Sequence, residues 1–425
     1  MKRVPKVTVA DVVEVGGPTG GGIRAWIEAK ARALGNRGDA RHLLVVPGAR
    51  DQVVRTAAGL RVEIRSPPIP GCPPYRFLLN RRAVARVLAR TRPDVVELGS
   101  QYRLGRTARE WRDRTGGRLS VFLHTDLAGA YVEPWGRRIF GSRLGEALGG
   151  RVQAHMGRLF RAADVALAAT PGGIATLEAM GVRGPQLLPL GVELETFHPR
   201  RRCALLRRDL LGEERPEGAA PESIPSARLL VFLGRLDGEK RVSLLVDAFT
   251  RARAGHPHLH LLLLGDGPLV SRVPRWQELT PGLHHRPWEG SRAEVARILA
   301  SADAYVTAGP HETFGLSVLE AMACGLPVLG VRAGALAERI DPEFGWLVPA
   351  DDVEALAQAM GRLAALPHDA LRDQGRRARL RALEGNGWDA VFRRLFHLYG
   401  LPDPTPAPAP APPLPRSPGK LAWTR

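Results

Sequence analysis

The chain has 425 residues, long for one hydrophobic core and of a size for two domains. It carries 61 basic against 43 acidic residues, a net charge of +18, and all but five of the basic residues are arginine, a bias that a GC-rich coding sequence produces. A charge this positive attracts anionic partners such as phospholipid headgroups or nucleotides, whereas three scattered cysteines, Cys72, Cys203 and Cys324, argue against a disulfide framework and a structural zinc site.

In chain order, KVTVADVVEV (6–15) reads as a first strand. Asp11 and Glu14 interrupt any signal-peptide apolar core, and no window approaches the about 20 apolar residues of a membrane span. The expectation is a cytoplasmic chain, with peripheral contact to the anionic inner face of the plasma membrane. GGPTGGGIRAWIEAKARAL (16–34) is a glycine-rich turn opening a helix, where the backbone can approach a ligand closely. It lacks the GK[ST] of a P-loop and the strict GxGxxG spacing, and such turns are often only turns. VVELGS (95–100), LSVFLHT (119–125), ADVALAAT (163–170) and QLLPLGV (186–192) read as strands. FLHTD places His124 and Asp126 at a strand end, although a lone histidine is more often structural than catalytic. Residues 198–228 are charged, then rich in Pro, Glu and Ala, and mark a domain boundary. RLLVFLG (228–234), LHLLLLG (259–265), DAYVTAG (303–309) and LPVLGV (326–331) are the strands of the second half. Continuous apolar runs of this kind suit parallel strands covered on both faces, so the fold class is α/β with two open twisted sheets. NGWDAVFRRLFHLYG (386–400) reads as a helix with Trp388, Val391, Phe392, Leu395 and Tyr399 on its apolar stripe, and nine prolines within 402–418 give an extended, disordered tail.

Three turns follow strands of the second half. FLGRLDGEKRVSLLVDAF (232–249) presents Arg235 and Lys240 near a helix N-terminus, where cations would neutralise a diphosphate. LGDGPL (264–269) is a weak signal alone. In SADAYVTAGPHETFGLSVLEAMACGLPVLG (301–330) a strand runs into a turn and then a helix from Leu316 to Cys324, stopped by Gly325 and Pro327. N–H groups near Gly315, Leu316 and Ser317 would make that helix start an anion site. Glu312 and Glu320 flank it. Two carboxylates repel a phosphate but can accept hydrogen bonds from hydroxyls beside one, as in a nucleotide carrying a sugar. On spacing alone, a capping glutamate and a solvated helix glutamate are the favoured account of the pair.

Together these elements resemble glycosyltransferase family four, retaining enzymes of the GT-B architecture with two Rossmann-like domains. Glu312 and Glu320 match the family's E-x7-E motif, GRLDGEK (234–240) its GRL-x-x-EK segment, and GDGPL, GGGIR and the helix holding Trp388 match as well. LHTDLAGAYVEP (123–134) and PLGVELETFHP (189–199) are similar to its bacterial mannosyltransferase branch. The resemblance covers roughly residues 1–400; its charged first strand departs from the family's usual opening run, and the proline tail lies outside it.

The resemblance implies residues 1–195 as an acceptor domain, 196–225 as a linker and 226–385 as a nucleotide-sugar donor domain. It adds 386–400 as a helix returning to the first domain and 401–425 as the tail. It implies that Arg235 and Lys240 contact the donor diphosphate, Glu320 the ribose hydroxyls and Glu312 the transferred sugar. The amides of Phe314, Gly315, Leu316 and Ser317 would cradle phosphate, with Gly22 approaching from the other domain and His124 beside the reaction centre. No cofactor or metal is implied, and the sequence has no D-x-D. The co-substrate is a GDP- or UDP-linked hexose of mannose or glucose type, and the acceptor a lipid-linked, glycan or small molecule. Two rivals compete with this reading. A nucleotide-sugar epimerase of the same fold should lack the combination of Arg235, Lys240, Glu312 and Glu320. A nucleic-acid or membrane-binding module should cluster basic residues with aromatics, whereas here the arginines are spread along helices and aromatics are 6%. Specific nucleic-acid binding is therefore not expected.

Overall fold

Runs rich in Val, Leu and Ala build the central strands of two large sheets in the computed structural model, which describes residues 7–17, 21–69, 75–99, 103–124, 132, 136, 141–212, 227–288 and 290–402. The first sheet has eight strands, in the spatial order Gln186–Leu187, Val165–Ala168, Arg118–Leu123, Val95–Leu98, Val7–Val12, Ala40–Gly48, Gly59–Arg65 and Gln52–Thr56. All neighbours are parallel except the last pair, where Gln52–Thr56 runs antiparallel along the edge. The second sheet has six parallel strands, in the order Leu283–Arg286, Leu259–Leu264, Arg228–Leu233, Ala304–Val306, Val328–Val331 and Gly345–Val348. Counted along the chain, that is third, second, first, fourth, fifth, sixth. The winding reverses between Arg228–Leu233 and Ala304–Val306, and the carboxyl ends of such a pair open the crevice where doubly wound sheets bind ligands.

The segment 186–192 is extended strand only over Gln186–Leu187. Leu188 still donates its N–H to the Ala168 carbonyl, but Pro189 has none to give and the ladder stops. Within 196–225, the helix Ala204–Leu211 packs on the helix Arg292–Ser301 of the second domain. Arg207, fully buried, holds it there through the Ser301 carbonyl at 2.8 Å and the Asp303 carboxylate at 2.7 Å. Residues 213–226 and 403–425 lie outside the described residues, as do Asp126 and Cys72.

The charged first strand has a physical reason. Asp11 is buried, and its carboxylate takes Lys30 Nζ and His42 Nε2, each at 2.6 Å. Lys30 also reaches Glu97 at 2.6 Å, and Trp26 Nε1 donates to the same Glu97 oxygen at 2.9 Å. The other Glu97 oxygen accepts the Tyr399 hydroxyl. Glu14 accepts the backbone N–H groups of Arg103 and Leu104. Buried charges persist where each is paired and hydrogen-bonded, and this cluster joins the first strand, the helix Gly22–Arg37, the strand Val95–Leu98 and the chain after the helix Trp388–Leu398. That last helix lays Trp388 and Phe392 against Trp26, with ring centroids 6.0 and 5.1 Å away.

Further contacts between the domains include Thr313 Oγ1 donating to the His124 carbonyl at 2.7 Å, Gly172 N–H donating to Glu338 at 2.8 Å, and Arg292 pairing with Glu193 at 2.6 Å.

Candidate functional site

The reversal point of the second sheet positions two loops side by side. Strand Arg228–Leu233 ends in Gly234-Arg235-Leu236, and strand Ala304–Val306 runs into 307–315. Gly265, at φ +145°, lets the turn after Leu259–Leu264 close on the first of these: a Cβ there would lie 2.0 Å from the Gly234 carbonyl oxygen. The GDG stretch is thus the wedge that packs one turn on the other.

Glu312 organises the second loop. Its Oε2 accepts Lys240 Nζ at 2.7 Å and its Oε1 accepts the Gly315 N–H at 3.0 Å, with the Phe314 N–H also directed at the carboxylate. Burial pushes this carboxyl up, but Lys240 and the two amides outweigh it and hold its pKa below the usual value. Burial likewise opposes the Lys240 charge, and Glu312, with smaller help from Glu239 and Asp237, raises its pKa overall. The pair is ionised at neutral pH. Gly315, at φ +76°, turns the chain into the helix Leu316–Ala323, which has no side-chain cap. Phe314 and Gly315 therefore give their amides to Glu312, and Leu316 and Ser317 contribute the first-turn N–H groups that the helix ladder leaves unused. Ser317 is fixed by the Tyr305 hydroxyl at 2.8 Å, which also reaches the Leu233 carbonyl. Phe314 is buried with the Arg339 guanidinium 4.2 Å above its ring, and burial lowers that arginine's pKa to about 10.

Arg235 lies on the same rim, ion-paired with Asp237 and, at 2.7 Å, with Glu239. Both cations are thus already turned towards carboxylates, which an incoming diphosphate would have to share. From the opposite domain, Gly22 opens the helix Gly22–Arg37 with no side-chain cap, and a Cβ on it would meet Leu316 at 3.9 Å. Two uncapped helix starts face each other, a concentration of partial positive charge that suits an anion.

His124 stacks on Phe122 at 4.3 Å, and its Nε2 is buried without a partner among the described residues. Burial, with Lys30 nearby, lowers its pKa to about 3 against a weaker pull from Asp11, so the ring is neutral. Glu320 is buried one helical turn further on, and its carboxylate meets Arg292 at 2.8 Å. Arg235, Lys240, Glu312, Phe314, Gly315, Leu316, Ser317 and Glu320 thus gather at one crevice, with Gly22 and His124 on its other wall. Arg292, Tyr305 and Arg339, which touch these residues, carried no motif in the sequence. Their only sign was position, at a helix start, in a strand and on a short helix, each brought near by the sheet winding.

Known proteins match this arrangement. The family described as "Glycosyl transferases group 1" matches residues 227–365, and that described as "Glycosyl transferase 4-like domain" matches residues 21–191. The GDP-mannose-dependent alpha-(1-6)-phosphatidylinositol dimannoside mannosyltransferase of Mycobacterium tuberculosis is 32% identical over 380 residues, 88% of this chain and 91% of that protein. A GDP-mannose-dependent alpha-mannosyltransferase of the same organism is 29% identical over 83% of this chain and 85% of its own length. Among solved structures, the sucrose-phosphate synthase of Thermosynechococcus elongatus superposes with a TM-score of 0.72 at 19% identity, covering 93% of this chain and 98% of that one. HepE of Anabaena, solved with UDP and glucose, gives 0.69 at 16% over 93% and 99%. These two structural likenesses concern the fold alone. The motif residues at the crevice, both family matches and the full-length relative lead to one identification: the chain is a glycosyltransferase of the GT-B, family-four type, on its mannosyltransferase-like branch.

Proposed function

We propose that the chain transfers mannose from GDP-mannose, with retention at the anomeric carbon and without a metal, to a glycolipid or glycan acceptor presented at an anionic membrane surface. The donor and the class of acceptor are suggested by the Mycobacterium tuberculosis relative, whose name gives GDP-mannose and a phosphatidylinositol dimannoside. In this reading residues 226–385 bind the donor and residues 1–195 the acceptor. The observation that carries it is the Lys240–Glu312 pair at the sheet's reversal point, opposite Gly22.

The chemistry follows from charge. The bond from the anomeric carbon to the phosphate oxygen breaks, and GDP leaves with an added negative charge. Lys240, Arg235 and the start of helix Leu316–Ala323 stabilise that charge. The acceptor oxygen bonds to the anomeric carbon on the face that GDP leaves, and the acceptor proton passes to the departing phosphate. Glu312, held ionised by Lys240, orients the sugar hydroxyls, and His124, neutral, offers a hydrogen bond to the sugar. Glu320 accepts from the ribose hydroxyls. Thermal-shift titration with GDP, UDP and ADP tests the donor, because a ligand that binds only the folded chain raises its melting temperature. GDP should give the largest rise; a larger rise with UDP would overturn the choice of nucleotide. Turnover should persist in chelator, and the product should be the α-anomer by NMR; a β-linked product would rule out retention.

Localisation at the cytoplasmic face of a membrane is part of the same proposal. It rests on the +18 charge, and among the described residues no helix is long and apolar enough to cross a membrane.

A further inference from the structure

Glu320 does not stand alone. The Arg292 guanidinium, at the start of the helix Arg292–Ser301, is shared between two carboxylates: Nη2 lies 2.8 Å from Glu320 Oε1 and 2.6 Å from Glu193 Oε2. The same Glu193 oxygen takes Arg292 Nε at 2.9 Å, and its other oxygen takes Arg32, from the helix Gly22–Arg37 of the first domain, at 2.6 Å. The Arg292 guanidinium also lies over Phe197, 4.8 Å from the ring centre. A chain of charge-assisted hydrogen bonds therefore runs from Arg32 and Glu193 of the first domain through Arg292 to Glu320 in the second.

We propose that Arg292 is a positioning residue for nucleotide binding. It orients the Glu320 carboxylate by holding Oε1, leaving Oε2 to the ribose, while Glu193 competes for the same guanidinium and so tunes that hold.

The inference rests on the reading of Glu320 as the ribose acceptor and adds what keeps it competent. A carboxylate this buried is driven towards its neutral form, and a protonated Glu320 would accept the ribose hydroxyls poorly. Among the described residues, the charged and titratable groups facing it are Arg292, Glu193, Tyr305 on the strand beneath and Cys324 at the end of its helix. Arg379, on the neighbouring helix His368–Leu383, is turned instead to the carbonyls of Phe197 and Ala323. Burial raises the Glu320 pKa, Arg292 lowers it and Glu193 raises it, in that order, and the balance lies above the ordinary carboxylate value.

The two neighbours should thus act with opposite signs. The test is calorimetric titration of GDP, and of UDP as a second ribose diphosphate, from about pH 5 to about pH 9, a span that covers a displaced carboxyl. Arg292→Met should bind weakly at neutral pH and recover as pH rises, by about tenfold for each unit by which the carboxyl is displaced. Arg292→Lys should lie between it and the wild type. Glu193→Gln should do the reverse and keep tight binding to lower pH than the wild type. A loss of the same factor at every pH in Arg292→Met, or a shift of both profiles in one direction, would overturn the proposal. Glu193→Gln decides it alone if Arg292→Met does not fold. Glu320→Gln separates the underlying reading: if it binds both nucleotides as the wild type does, the ribose role of Glu320 fails, whatever the other variants do.

Discussion

Lys30 and Lys240 are the two lysines among the described residues of a chain that otherwise uses arginine. Both are sunk against carboxylates, Lys30 between Asp11 and Glu97 and Lys240 on Glu312. A compact ammonium reaches a carboxylate from within a packed wall, where a planar five-donor fork needs width. Behind Lys240 the width is missing: a Cβ on Gly309 would already come within 3.2 Å of the Lys240 Cα. Lys240→Arg keeps the charge and should keep the fold, yet kcat should fall by about two orders of magnitude, the scale for losing one aligned donor to a developing anion. Wild-type kcat in a variant with unchanged circular dichroism would mean that charge without geometry suffices. His124 gives a pH prediction. Its pKa is about 3 in the folded chain and 6.5 for a free side chain. The unfolded chain therefore binds the extra proton, and stability is complete above about pH 6.5 and is lost as pH falls towards about 3. In urea titrations over that range His124→Phe should lose less stability on acidification, by on the order of a few kcal/mol. An unchanged acid limb would contradict a neutral ring with its Nε2 out of water.

At the scale of elements, the wedge at Gly265 and the return of helix Trp388–Leu398 hold the crevice in shape. Gly265→Ala sets a Cβ against the Gly234 carbonyl at a φ that L side chains rarely adopt, so it should lower both the melting temperature and nucleotide affinity. An unchanged variant would show that the two turns need not touch. Tyr399→Phe removes a buried donor to Glu97 and should cost about 1–3 kcal/mol in urea unfolding. The strands around the site were legible because each was a continuous apolar run ending at Gly or a polar turn. Several others were not. Ala40–Gly48 is broken by Arg41, His42 and Pro47, Leu283–Arg286 is half histidine, and the edge strand Gln52–Thr56 exposes Val53 and Val54, so its apolar residues do not mark a buried face. The motif residues could be read as types at a spacing. Their partners could not, because Arg292 meets Glu320 across 28 residues and Tyr399 meets Glu97 across 302. Local patterns carry no record of such pairings.

Over the whole molecule, the polar contacts between the two halves include Thr313 with His124, Glu338 with Gly172 and Arg292 with Glu193. A polar seam of this kind permits relative domain movement, and closure would exclude water from the departing sugar. The +18 charge acts at longer range. Sedimentation with vesicles containing anionic lipid should show binding that weakens steeply as salt rises, since the Debye length shrinks to about 8 Å at physiological ionic strength. Equal binding to neutral vesicles would remove the electrostatic basis for a membrane-borne acceptor. All of this depends on one crevice gripping a diphosphate between fixed cations and unused amides. The direct measurement is a crystal structure of the chain soaked with GDP. The account predicts the diphosphate beside Lys240 and Arg235 at the start of helix Leu316–Ala323, with the ribose on Glu320. A diphosphate bound away from these residues, or a ribose turned from Glu320, would contradict it.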